Sequence, residues 1–180
     1  MAEKKIKAFD IVITALMAAL IAVCSFIAIP VGAVPVTLQT FSVFACAGIL
    51  GKNRGTISII IYILIGIAGM PVFSGFQSGL SVLTGPAGGY IIGFIPAVFV
   101  SGLIMQKTDR KIPFTVASFL AGLLICYICG MLWYVYVFSS GETDFASAFA
   151  VCILPYIIPD VIKLILAAVV SQAVRKRMKL

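Results

Sequence analysis

The chain has 180 residues, 62% hydrophobic and 11% charged, with mean hydropathy +1.20. Soluble domains are about 45–50% apolar and about 25% charged, so this composition excludes an ordinary soluble domain and fits a lipid environment. Thirteen Lys and Arg against six Asp and Glu give a net charge of +7, but the bases are dispersed in short clusters between apolar runs. That distribution argues against a nucleic-acid patch and for a membrane topology.

The length suits one domain, residues 1–180, built from about six spans of roughly 20 residues each. The first apolar segment, 8–29, follows Lys4, Lys5 and Lys7. It has the outline of a secretory signal. However, Asp10 interrupts the join, Val23 before Cys24 is wrong for lipoprotein cleavage, and more spans follow. It reads as the first span. Within it, "ALMAALIAV" (15–23) holds Ala15-x-x-x-Ala19 and Ala18-x-x-x-Ala22, small residues that give a flat stripe for close helix packing, against a partner or within the bundle.

The break at Pro30–Pro35 leads into "IPVGAVPVTLQTF" (29–41), an uncharged turn with Thr37, Gln39 and Thr40 entering the second apolar segment, 38–50. Gln39 offers a donor and an acceptor together, as a ligand contact or as a cap beside a solvated amide. A loop expected at Gly51–Gly55, carrying Lys52 and Arg54, precedes a third segment, 56–70. The stretch 69–94, "GMPVFSGFQSGLSVLTGPAGGYIIGF", is dense in glycine and holds Phe73, Phe76, Gln77, Ser78, Thr84 and Tyr90. Rings, an amide and hydroxyls among small residues suit a small amphiphilic ligand, with Gly88 and Gly89 expected to let backbone approach it; an ordinary loop with an interfacial aromatic belt is the other reading.

The remaining segments are 87–105, 114–138 and 146–173, separated by Lys107, Arg110 and Lys111 and then by a loop with Glu142 and Asp144. None alternates strictly with polar residues, which argues against a β-barrel. Cys24, Cys46, Cys126, Cys129 and Cys152 all fall in apolar segments, which argues against a disulfide framework. "CYIC" (126–129) is a lone pair in a chain without histidine, so no metal site is expected and the two thiols read as small helix-face residues. No G-x-x-x-x-G-K-[ST] and no G-x-S-x-G occurs, so no route to ATP hydrolysis or acyl chemistry is visible and no enzyme is expected.

Twelve of the thirteen bases fall on alternate loops and at the two ends, in groups of 3, 2, 3 and 4, while the loops 30–37, 71–86 and 139–145 have none. Basic residues stay cytoplasmic, so an all-α integral membrane protein with six transmembrane helices and both termini cytoplasmic is expected.

The thirteenth base is Lys163, which lies three residues after Asp160 in "LPYIIPDVIKLILAAVV" (154–170). Residues three apart share a helix face. Counting back from Arg175, Lys163 and Asp160 lie roughly 18 and 22 Å along a helix, in the outer half of the bilayer. A charge there costs about 2.5–3.5 kcal/mol on insertion scales. Pro155 and Pro159 predict a helix broken or freshly started near Asp160, and irregular backbone at that depth needs protein or a water-filled cavity around it. The pair reads either as a ligand site or as an ion pair that locks the bundle.

In order, "ALMAALIAV", "IPVGAVPVTLQT", "GIAGMPVFSG", "GPAGGYIIGF" and "IPDVIK" make the whole chain resemble BioY, the biotin-specific S component of energy-coupling factor (ECF) transporters. The resemblance implies a six-helix S-component fold in the cell membrane and biotin as transported ligand, with no cofactor. It also implies a transmembrane coupling subunit and two cytoplasmic ATPase subunits as partners, with Ala15, Ala19 and Ala22 facing the coupling subunit. It carries the family's ligand contacts over to Asp160, Lys163 and the loop amide Gln77. Some members place an arginine just after "GPxGGY" for the ligand's carboxylate; here Ile91 and Ile92 follow Tyr90, which shifts the carboxylate to Lys163. The full expected site is Thr37, Gln39, Phe73, Gln77, Ser78, Gly88, Gly89, Tyr90, Asp160 and Lys163. Asp160 is expected on the ureido N–H groups and Lys163 at the far end, although residues one turn apart are closer than biotin's two ends. The rival readings are an S component for another vitamin such as thiamin, an intramembrane enzyme using Asp160 as base, and a structural subunit.

Overall fold

The computed structural model describes residues 8–32, 34–108 and 111–178. Helix α1 (Ala8–Phe26) is followed by a two-residue antiparallel ribbon, β1 (Ala28–Ile29) with β2 (Val36–Thr37), which pairs Ala28 with Thr37 and carries the two-proline loop between its strands. A helical run then covers Gln39–Ile67, but Gly51 within it has φ 73° and ψ −170°. That left-handed φ is open to glycine and turns the chain back in one residue.

Two contacts prove the reversal. The Cys46 thiol lies 3.9 Å from the Gly55 carbonyl, and the Gln39 side-chain amide donates to the Tyr62 hydroxyl at 2.7 Å. In a straight helix, Gln39 and Tyr62 would stand about 34 Å apart at about 1.5 Å per residue. The run is therefore a helical hairpin, α2 (39–50) and α3 (52–67). The expected loop at 51–55 shrinks to one glycine, with Lys52 to Gly55 already in the first turn of α3. Gly102 receives this turn: a Cβ there would meet the Lys52 Cα at 2.5 Å and the Gly51 carbonyl carbon at 2.9 Å.

After a loop with a 3-10 turn at Ser74–Phe76, the short α4 (Leu80–Thr84) leads into α5 (Gly88–Lys107). Then come α6 (Ile112–Trp133), extended by a π-helical stretch Tyr134–Phe138, and α7 (Phe145–Cys152). A 3-10 turn at Leu154–Tyr156 precedes α8 (Ile157–Met178). Pro113 and Pro159 fall in the first turns of α6 and α8, where the missing N–H is no loss. Asp144 caps α7 by accepting from the Ser147 N–H at 3.2 Å, and that bonding holds its carboxyl below the ordinary value. Among the described residues five helical runs are long and apolar enough to cross a membrane, and the hairpin divides one of them in two, which fits the expected six helices.

The ends sort by charge. At one end Arg54 pairs with Asp10 at 2.8 Å, and the Arg175 guanidinium donates to the Gly48 and Ile49 carbonyls at 3.0 and 3.3 Å. Those two are among the unpaired carbonyls at the C-terminus of α2, so a cation from α8 satisfies the negative end of the helix dipole. At the other end the Tyr156 hydroxyl donates to the Val31 and Val34 carbonyls, and Ser25 donates to the Val72 carbonyl. Lys4, Lys5, Lys7, Arg110 and Lys179 lie outside the described residues.

Candidate ligand-binding site

Helix α2 has only twelve residues, about 18 Å of the roughly 30 Å hydrocarbon thickness. The ribbon and the proline loop therefore pack beside the start of α8, bonded to Tyr156 and Lys163. A cavity of about 980 Å³ opens there between the two-proline loop, the 74–87 loop, α5, α6 and α8. Its floor is polar and its walls are apolar, among them Ile91, Phe94 and Leu123.

The floor is built on the first turn of α8. Asp160 is 5% exposed and Lys163 8%, and the ammonium contacts the carboxylate Oδ1 at 2.7 Å. The Lys163 ammonium also donates to the Thr37 carbonyl at 2.8 Å, and the Tyr127 hydroxyl donates to Asp160 Oδ2 at 2.8 Å. An ammonium has three donors and a carboxylate about four acceptor sites. The protein occupies two of each. One ammonium proton and two carboxylate lone pairs therefore remain for something in the cavity. Beside them, the Gln39 amide is oriented by Tyr62 and accepts from the Thr37 hydroxyl at 3.2 Å.

The expected site divides. Thr37, Gln39, Gln77, Ser78, Tyr90, Asp160 and Lys163 all line the cavity. Phe73, Gly88 and Gly89 do not. Phe73 is fully buried, edge-on to Tyr62 at 5.6 Å and seated against Gly66. Phe76 lines the cavity instead, 66% exposed and stacked on Phe26 at 4.3 Å, with a left-handed φ of 58° that is uncommon for a bulky residue. A Cβ on Gly88 would strike the Leu83 carbonyl and one on Gly89 would strike Trp133, so these glycines admit protein neighbours rather than a ligand.

The Lys163 ammonium is held by Asp160 and Thr37, and the acid and base act as one unit. Tyr127 was missed because "CYIC" draws attention to its cysteines. The available signal was a phenol in an apolar span, since a buried tyrosine hydroxyl finds a partner. Cys126 lines the cavity beside it. On α1, Ala15 and Ala19 face outward among exposed Val12, Leu16, Leu20 and Val23, Ala22 is half-buried, and Ala18 is buried. Among the described residues no three metal-binding side chains gather.

Comparison with known proteins agrees with this architecture. The BioY family model matches residues 1–180. The "Biotin transporter BioY" of Thermotoga maritima is 42% identical over 158 residues, which cover 88% of this chain and 90% of that one. The "Probable biotin transporter BioY" of Pyrococcus horikoshii is 37% identical, over 92% of this chain and 96% of that one. A crystal structure described as the S-component for biotin from an ECF-type ABC transporter superposes with a TM-score of 0.88 at 27% identity, covering 98% of this chain and 95% of that one. The chain belongs to the BioY family.

Proposed function

We propose that this chain is the biotin-binding S component of an energy-coupling factor transporter. In this reading it is a multi-pass protein of the prokaryotic plasma membrane that takes biotin from the outer face. A transmembrane coupling subunit and two cytoplasmic ATPase subunits complete the transporter, with Ala15 and Ala19 on the outward face of α1 as the contact for the coupling subunit. The chain carries its ligand and does not transform it.

The observation that carries the reading is the Asp160–Lys163 unit at the cavity floor. A ureido group presents a carbonyl acceptor and N–H donors a bond apart. The remaining ammonium proton suits the carbonyl, and the remaining Asp160 lone pairs suit the N–H groups. The apolar walls at Ile91, Phe94 and Leu123 suit the thioether ring. The volume lies at the upper end of the roughly 300–1,000 Å³ range of small-molecule sites. Buried hydrogen bonds of this kind reject a ligand that cannot pair with them.

Calorimetric titration of purified, ligand-stripped protein tests the reading. Biotin should bind at one per chain and thiamin should give no heat. Thiamin binding without biotin binding would replace this ligand with the other vitamin, and binding of neither would favour a structural subunit.

A further inference from the structure

The cavity contains one cation, and that cation is already neutralised. Lys163 lies 2.7 Å from Asp160 and is bonded to Thr37 besides, so the floor has no net charge to offer a ligand anion. Nothing else in the sequence supplies one at this end. The segments 30–37, 71–86 and 139–145 contain no Lys or Arg, and their only charges are the acids Glu142 and Asp144. The outer face therefore does not steer anions toward the mouth, since steering requires a field of opposite sign.

With the ureido head on the floor, the ligand's tail points to the mouth. Four neutral polar side chains line it: Ser74, Gln77, Ser78 and Ser81. Gln77 and Ser81 are exposed, so water reaches this end as well. Hydroxyls and a carboxamide serve a carboxylate or an amide carbonyl alike. A hydrated carboxylate also gains little from groups that bond equally well to its neutral counterpart.

We infer that this chain does not read the charge of the ligand's tail, and that its ligand class includes neutral tail derivatives of biotin, such as the primary amide and the methyl ester. The inference rests on the biotin reading above and extends it. Discrimination is confined to the ureido head, with Asp160, Lys163 and Tyr127 as the residues that set it.

The test is titration of the ligand-stripped, full-length protein with biotin, biotinamide and biotin methyl ester. The expected ratio of biotinamide Kd to biotin Kd is close to one, and any ratio under tenfold supports the inference. A cation devoted to the tail would make a charge-assisted contact and raise that ratio to about 10–150-fold; a ratio of tenfold or more overturns it. If biotin itself does not bind, the biotin reading falls and takes this inference with it, a result distinct from selective loss of the amide. A second measurement uses Lys163→Met. Affinity for biotin and for biotinamide should fall in parallel. A selective loss of biotin, with biotinamide affinity unchanged, would assign Lys163 to the tail and overturn the inference by a separate route.

Discussion

The buried acid–base pair gives opposite orders for stability and binding when it is removed stepwise. Lys163→Met leaves Asp160, whose side chain is 7% exposed, with the Tyr127 hydroxyl still donating to it. Removing one member of a buried pair costs about 3–5 kcal/mol because an uncompensated charge is left behind. At about 2–4 °C per kcal/mol for a chain of this size, the ligand-free melting temperature should fall by about 6–20 °C. In the double variant, Asp160→Asn with Lys163→Met, no charge remains to be stranded, and most of the loss should be recovered. Binding follows the other order. Each single change removes a charged partner of the ureido head, worth about 1.5–3 kcal/mol or roughly 10–150-fold in Kd, and the double change should weaken binding further. The assay is thermal unfolding in detergent beside biotin titration of the same preparations. Near-native biotin affinity in the double variant would refute the ligand-site reasoning. A double variant less stable than either single would refute the pairing argument.

Tyr127→Phe removes the hydrogen bond to Asp160 Oδ2 and should weaken biotin binding about tenfold or more while costing about 1–3 kcal/mol of stability, as titration and unfolding of the same sample would reveal. Ala19→Leu adds bulk on the outward face of α1, so biotin binding by the isolated protein should persist while uptake by cells expressing the whole transporter falls. If both fall together, the stripe is internal packing. Gly102→Ala forces a Cβ into the backbone of the Gly51–Lys52 turn and should cost about 1–3 kcal/mol in an unfolding experiment, leaving the affinity of the folded fraction intact. With native cysteines replaced, a cysteine at Glu142 should label from outside the cell and one at Lys107 should not; the reverse pattern would invert the topology.

The membrane-spanning helical architecture was legible because it rests on rules that act on single residues in sequence. Apolar runs must match the bilayer, and bases stay inside. Counting back from Arg175 put Asp160 and Lys163 far from the basic end of their helix, and the contact of Lys163 with Thr37 agrees with that. What the sequence hid was proximity across the fold. A single glycine's φ turned a five-residue loop at 51–55 into a one-residue reversal. Phe73 and Phe76 are three residues apart in one loop, and only tertiary packing decides that the first fills the space above Gly66 while the second lines the cavity. Gly88 and Gly89 read as ligand-approach positions, yet the same lack of a Cβ serves the Leu83 backbone and Trp133. Tyr127 lies 33 residues from Asp160, and no local pattern links them. Acid and base read as two separate ligand contacts in sequence, whereas in the fold their side chains, one helical turn apart, lie 2.7 Å from each other.

In the proposed complex the Asp160–Lys163 unit holds the ureido head at the cavity floor. A crystal structure of the biotin complex tests it most directly. The ureido oxygen should lie within hydrogen-bond distance of the Lys163 ammonium, with a ureido N–H on Asp160, the thioether ring against Phe94 and Leu123, and the carboxylate at the mouth near Ser78 and Ser81. A ligand bound the other way round, with its carboxylate on Lys163 and its ureido ring among the mouth residues, would contradict it.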